Sequence, residues 1–331
     1  MYIEQAFKGK SSGARYLFGT IAIFFSWVIL QTLPFIIALG FKYGYNEKLI
    51  AVFSDQNRMM SDFSSNTTFF FMLLGFALSL LVLFLLNEGI HKNSITNLTT
   101  SRNKIDWSRF WFSFSTIAIL NVILILVDYF FVSPDDYVFN FNLVPFLILM
   151  LIAVVFVPLQ TSFEEYFFRG YLMQGIGIKT GYRWIPLVIT SFIFGAMHYA
   201  NPEVTQMGDL VMVSYFGTAI MLGVMTLMDE GLELSLGFHA ANNLVASLLV
   251  TADWTAFNTE SILRDISNPT ADWEVWIGAL VINPIILLIY AKRYKWNNWG
   301  TRLFGKVQQP IVSQVSEIND IEDLSEIKKD Y

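Results

Sequence analysis

The chain has no cysteine, which excludes a disulfide framework, a thiol nucleophile and any cysteine-ligated metal. Charge is scarce too: only 15% of the 331 residues are Asp, Glu, Lys or Arg, against 54% hydrophobic and 16% aromatic. That balance excludes an ordinary soluble domain of this length and points to an integral membrane protein. A basic excess is also lacking. The net charge of -6 argues against nucleic acid as a partner. No internal repeat, low-complexity block or hydrophilic domain separates the apolar runs.

Those runs define the fold class. A span needs about 20 apolar residues as a helix, and eight candidates are present: 16–40, 69–86, 110–131, 143–174, 184–198, 211–228, 232–251 and 276–291. The prediction is an all-α polytopic bundle of about eight transmembrane helices. Lys8, Lys10 and Arg15 precede the first run, as in a secretory leader. Its length exceeds a leader core and no small-residue cleavage site follows, so it is expected to be retained.

Basic residues in alternate loops orient the bundle. One side carries Lys8, Lys10, Arg15, Lys92, Arg102, Lys104, Arg109, Lys179, Arg183, Lys292, Arg293, Lys295 and Arg302; the other has Lys42, Lys48, Arg58 and Arg264. Thirteen against four places both termini in the cytoplasm. Tyr43, Tyr45, Trp107, Trp184, Trp273, Trp276, Trp296 and Trp299 lie near helix ends, as interfacial aromatics do. The expected organisation is a three-helix scaffold over 1–142, a catalytic membrane region over 143–302 and an acidic, solvated, disordered tail over 303–331. Glu317, Asp320, Glu322, Asp323 and Glu326 belong to that tail.

Within hydrocarbon-like surroundings stand Glu164, Glu165 and Arg169, then His198, then His239 and Asn243. Such groups are expensive in a bilayer and mark functional sites. If the fourth helix ends at the glycines around Gly175 to Gly181 and the fifth begins near Trp184, Glu164 and His198 lie about 13 and 14 residues from the turn. That is roughly 20 Å each, hence one depth. Glu165 and Arg169 are spaced i, i+4 with the acid first, the favoured ion-pair order, whereas Glu164 is rotated by about 100°. The expected division of labour is a neutralised Glu165–Arg169 pair and a cavity-facing Glu164. Phe194 with His198, and His239 with Asn243, also share helix faces.

A carboxylate in a wet cavity can take a proton from water. His198 can hold that water or pass the proton, and His239 with Asn243 can donate to an oxyanion. The result is an amide hydrolase without serine or cysteine. Glu164, His198 and His239 are alternatively a three-ligand zinc set with an open position for water, and Glu165 would then be the base.

The series Glu164-Glu165-x-x-x-Arg169, Phe194-x-x-x-His198, His239-x-x-x-Asn243 resembles the signature of the CPBP family of intramembrane proteases. That family includes CAAX prenyl endopeptidases and bacterial Abi-type proteins. The resemblance covers 143–251. It implies an eight-helix intramembrane endopeptidase whose cavity opens toward the cytoplasm or laterally to lipid. Carried over, Glu164 activates water, His198 is its partner, and His239 with Asn243 serves the oxyanion or a metal. Members have been labelled metalloproteases, and a metal-free glutamate mechanism has also been proposed, so zinc stays open. The implied partners are the lipid bilayer and a peptide or membrane-protein substrate, with lipid modification undecided. The expected location is a bacterial inner membrane.

Two other functions fit buried carboxylates and histidines: a proton- or cation-coupled transporter, and a non-catalytic immunity or scaffold protein using them as interhelical glue. Among the remaining polar residues, His91 is expected in a solvated loop, Glu233 as a helix-start carboxylate favoured by the dipole, and Asp128 at the interface. Phe69 to Phe71, Phe167 and Phe168 are expected as packing or lipid-facing surface.

Overall fold

The computed structural model describes residues 1–54, 58–59, 62–269, 271 and 274–309. Trp273 and the acidic tail residues Glu317, Asp320, Glu322, Asp323 and Glu326 lie outside the described residues, whereas the start of the expected 303–331 tail is ordered: a short helix spans Trp299–Phe304, Leu303 is buried, and the Val307 N–H donates to the Gly181 carbonyl at 2.9 Å. All eight apolar runs are helical: α1 (Gly13–Tyr43), α2 (Ser65–His91), α3 (Trp107–Val127), α4 (Leu143–Thr180), α5 (Trp184–Met197), α6 (Met212–Asp229), α7 (Glu233–Leu249) and α8 (Val275–Tyr294). Six segments are long and apolar enough to cross a membrane. Two helices of the eight fall short of the expected spans. With 14 and 17 residues, α5 and α7 reach only about 21 and 25 Å against a hydrocarbon core of about 30 Å.

Helix boundaries follow local chemistry. Ser64 caps α2 through Thr67, and Asp106 caps α3 by accepting the Ser108 N–H at 3.1 Å. Gly181 ends α4 in the left-handed region at φ 74°, so the fourth helix runs three to five residues beyond its expected end near Gly175 or Gly177. Within it, Tyr166–Leu172 forms a π-turn directly after Glu165. Such turns insert a residue into the ladder and recur at functional sites. The α5 helix stops at His198 because Asn201-Pro202 cannot continue it.

The expected all-α class holds, with one addition. The strands β1 (Tyr137–Phe139), β2 (Val250–Ala252) and β3 (Leu263–Asp265) form a small sheet in the order β1-β3-β2. β1 pairs antiparallel and β2 parallel to β3. The run expected to remain helical to Thr251 therefore ends at Leu249. β-Branched Val250 and Thr251 pair with Leu263 and Arg264 instead.

The main core joins Phe163, Phe167, Phe168, Tyr171 and Met173 of α4 to the buried faces of α6 and α7. α7 packs so closely on α3 that a Cβ at Gly237 would collide with the Phe110 carbonyl oxygen. Small residues at such crossings let membrane helices approach, and this one fixes the position of His239 two residues later. The contiguous phenylalanines divide: Phe69, Phe167 and Phe168 are buried, while Phe70 and Phe71 are half-buried.

The basic loops meet at one end. Lys10 N–H donates to the His91 carbonyl, Arg183 pairs with Glu4, and Arg102 pairs with Asp229 at 2.9 Å and Glu233 at 3.1 Å. His91 is not in a solvated loop. The α2 helix runs five residues past Leu86, and His91 sits buried in its last turn under the N-terminal segment. Its Nδ1 donates to the Lys10 carbonyl at 2.8 Å, so its Nε2 accepts from the Tyr171 hydroxyl at 2.7 Å. Glu233 does lie in the first turn of α7, but it is buried and ion-paired as well. Asp128 begins a π-turn ending α3 and accepts the Tyr137 hydroxyl.

Candidate active site

A cavity of about 540 Å³ lies between α4, α5, α6 and α7, and Glu164, His198, His239 and Asn243 all line it. The depth match read from the α4–α5 turn is met in that respect. The structure brings the three separated motifs into one space.

Glu165 and Arg169 stand apart from the cavity, fully buried, with Nη1 of Arg169 3.1 Å from Oε1 of Glu165. Arg169 is further held by the Ala219 carbonyl at 3.2 Å, and its guanidinium lies 4.0 Å from the Phe194 ring centre. A planar cation against an aromatic face is favourable, the more so when desolvated. The expected pairing and the expected exposure of Glu164 are both present.

His239 departs from the expected geometry. Its Nδ1 is 2.8 Å from Oε1 of Glu165, and its Nε2 faces Oε2 of Glu164 at 3.4 Å. The ring is thus clamped between adjacent carboxylates rather than paired with Asn243 as an oxyanion donor. α4 can present both acids to it because Glu164 and Glu165 point in directions about 100° apart.

His198 donates Nδ1–H to the Phe194 carbonyl at 2.8 Å, one turn earlier. That bond fixes the tautomer and leaves Nε2 with its lone pair. The ring is held between Phe194, with centres 4.7 Å apart, and Tyr215, stacked at 4.5 Å and 29°. Asn243 donates to Oε1 of Gln160 at 3.2 Å and accepts from Asn242, which in turn accepts from Asn121. Gln160 lies one turn before Glu164 and hydrogen-bonds it. With its oxygen occupied by Asn243, the Gln160 amide NH₂ is the donor.

Sequence reading missed Gln160, Tyr215 and Glu203. Gln160 carried a signal, being a polar residue at i−4 from Glu164 on the same apolar helix. Tyr215 and Glu203 carried none, because only the folded chain brings the 201–215 segment over His198. Trp27, Met72 and Phe76 also line the cavity, so the first two helices supply wall as well as support.

Among the described residues no group of three His, Asp or Glu side chains is placed to hold a metal ion. His239 presents both ring nitrogens to carboxylates, and His198 is held by Phe194 and Tyr215 rather than joined to that pair.

A family description, "Type II CAAX prenyl endopeptidase Rce1-like", matches residues 143–245, which contain all three motifs. The uncharacterized protein YyaK of Bacillus subtilis is 30% identical over 216 residues, 64% of this chain and 72% of its own length. No solved structure matches the chain. With a multi-pass helical bundle and its polar groups gathered in one cavity, the chain belongs to the Rce1-like family of CAAX-protease-like membrane peptidases.

Proposed function

We propose that this protein is an intramembrane endopeptidase that hydrolyses a peptide bond with water activated by Glu164. The observation that carries the reading is the contrast between neighbours. Glu165 is committed to Arg169 and His239, while Glu164 faces the cavity, met by the Gln160 amide and, at 3.4 Å, by His239. A carboxylate has about four acceptor positions, so Glu164 retains capacity for a water.

In the proposed step Glu164 takes a proton from water as its oxygen attacks the peptide carbonyl. Asn243, whose second amide hydrogen is not used by Gln160, donates to the developing oxyanion. His198, with its lone pair on Nε2, helps hold the water and relays the proton to the departing amine. The C–N bond then breaks, leaving a carboxylic acid and an amine. His239 is a positioning residue, tying the Glu164 carboxylate to the buried Glu165–Arg169 pair. No step passes through a metal.

Helices α4 to α8 carry the chemistry in this reading, and the first three serve as scaffold and cavity wall. The bacterial relative supports placement in a bacterial cell membrane. The test is cleavage of quenched fluorescent peptides by the detergent-solubilised protein, beside its metal content by mass spectrometry. Loss of cleavage in Glu164→Gln with no bound metal supports the reading. One zinc per chain that disappears in His239→Ala would overturn it.

A further inference from the structure

The cavity is one-sided. Along α7 its lining runs from His239 through Asn242 and Asn243 to Ala246, about 10 Å of helix, and continues to Val250 at the start of β2. On α6 it runs from Leu222 back to Ser214. In the other direction Met225, Leu227 and Met228 are packed in the core. Beyond them Asp229 is bound by Arg102, Arg109 and the Trp296 indole. The cavity therefore leads from Glu164 toward the end that carries the small sheet and away from the end where the thirteen basic loop residues gather.

At that outer end the wall consists of Thr255, Ala256, Phe257 and Glu203. One oxygen of Glu203 accepts the Ala256 N–H at 2.8 Å, and the other is buried without a hydrogen-bond partner. Among the described residues no Lys or Arg lines the cavity, whereas Glu164 and Glu203 both do. A buried, unpartnered carboxylate oxygen is a costly feature. It is relieved when a cation enters, because attraction between opposite charges rises as water is excluded.

We infer that the cavity is entered from the extracytoplasmic face and that Glu203 at its mouth receives a cationic group of the incoming peptide, a basic side chain or a free amino terminus. The direction follows from the positive-inside rule applied to the two ends. It departs from the cytoplasmic or lateral opening that family resemblance implied. The naming of a peptide as the occupant rests on the proposed protease function; the direction of access and the charge preference do not.

The natural absence of cysteine makes the test clean. Ser214→Cys within the cavity and Ser101→Cys beside Arg102 are near-isosteric single cysteines in the full chain, expressed in a bacterial inner membrane. Intact cells are treated with membrane-impermeant methanethiosulfonates, one cationic and one anionic, and the remaining thiol is counted after lysis. The expected result is modification of Ser214→Cys in intact cells and of Ser101→Cys only in inverted vesicles. The cationic reagent is expected to react several-fold faster at Ser214→Cys than the anionic one, after normalisation to a free thiol. Adding Glu203→Gln, which keeps the acceptor for Ala256, should bring that ratio close to one. Modification of Ser101→Cys in intact cells, or of Ser214→Cys only from the cytoplasmic side or not at all, overturns the direction of access. A ratio unchanged by Glu203→Gln overturns the role of Glu203. Neither outcome depends on peptide cleavage, so failure here is separable from failure of the protease reading.

Discussion

The two ends of the molecule handle charge in opposite ways. At the basic end Asp229 and Glu233 are each met by arginine, and Arg183 is met by Glu4. There the charges close the bundle. At the sheet end Glu203 keeps one oxygen buried and unpartnered beside an open space. The same contrast recurs within one turn of α4, where Glu165 is locked by Arg169 and His239 while Glu164 faces the cavity. Matched charge makes structure, and charge left short of partners is available for chemistry. The positions of the two sorts, rather than their number, separate scaffold from site.

The sharpest way to break that comparison is to alter each member of the Glu164–Glu165 pair. Glu164→Gln is expected to lower peptide cleavage by about 10²- to 10⁴-fold, the usual contribution of a general base, with the thermal transition in detergent nearly unchanged. A variant that retained cleavage would remove Glu164 from the chemistry. Arg169→Leu should act on stability first. It strands Glu165 without its cation, and breaking a buried pair from one side costs about 3–5 kcal/mol, read as a lower melting temperature or failure to accumulate in the membrane. If Arg169→Leu melted like wild type, the pair would not anchor the site.

His239→Gln should fall between these. It is expected to reduce cleavage while largely sparing the fold, because the amide can still donate to one carboxylate. A shifted pH profile of cleavage, compared with wild type, distinguishes positioning of Glu164 from simple destabilisation.

The smallest effects are expected from two surface-end carboxyls that respond to pH with opposite sign. The Ser108 hydroxyl, and then its N–H and Arg109, hold Asp106 below the ordinary carboxylate range despite its partial burial. Its contribution is therefore present above its unfolded value and is lost as pH falls through the lower folded value. Glu203 is pushed above the ordinary range by burial, against the Ala256 N–H. Ionising it disfavours the fold, so stability declines as pH rises from its unfolded value through the higher folded one. Melting curves between about pH 3 and 7 bracket both. Asp106→Asn should flatten the acid side by less than about 1 kcal/mol, the low range for a cap. Glu203→Gln should flatten the opposite slope. Slopes unchanged by either substitution would show that other groups govern the pH response.

Composition and periodicity alone determined that this chain is a multi-pass helical membrane protein, which end gathers the basic loops, and that Glu164, Glu165, Arg169, His198, His239 and Asn243 are polar groups in apolar surroundings; the resemblance to a family signature joined them into one site. Those readings rest on local physics. Apolar length sets a span, charge in hydrocarbon is costly, and helical spacing assigns faces. The i, i+4 partnership of Glu165 with Arg169 was legible for that reason. Only the tertiary structure decided the rest. The clamp of His239 between two acids depends on how closely α7 approaches α3 and α4, which Gly237 permits but spacing along the chain cannot reveal. The burial of His91 depends on an N-terminal segment, whose Lys10 lies 81 residues away in sequence, that packs over α2. The cavity's direction depends on where the 201–209 and 250–265 segments fold back, and those contacts join residues such as Glu203 and Ala256 that share no helix. Local sequence fixes which groups are unusual. Long-range packing decides which are neutralised and which are left facing open space.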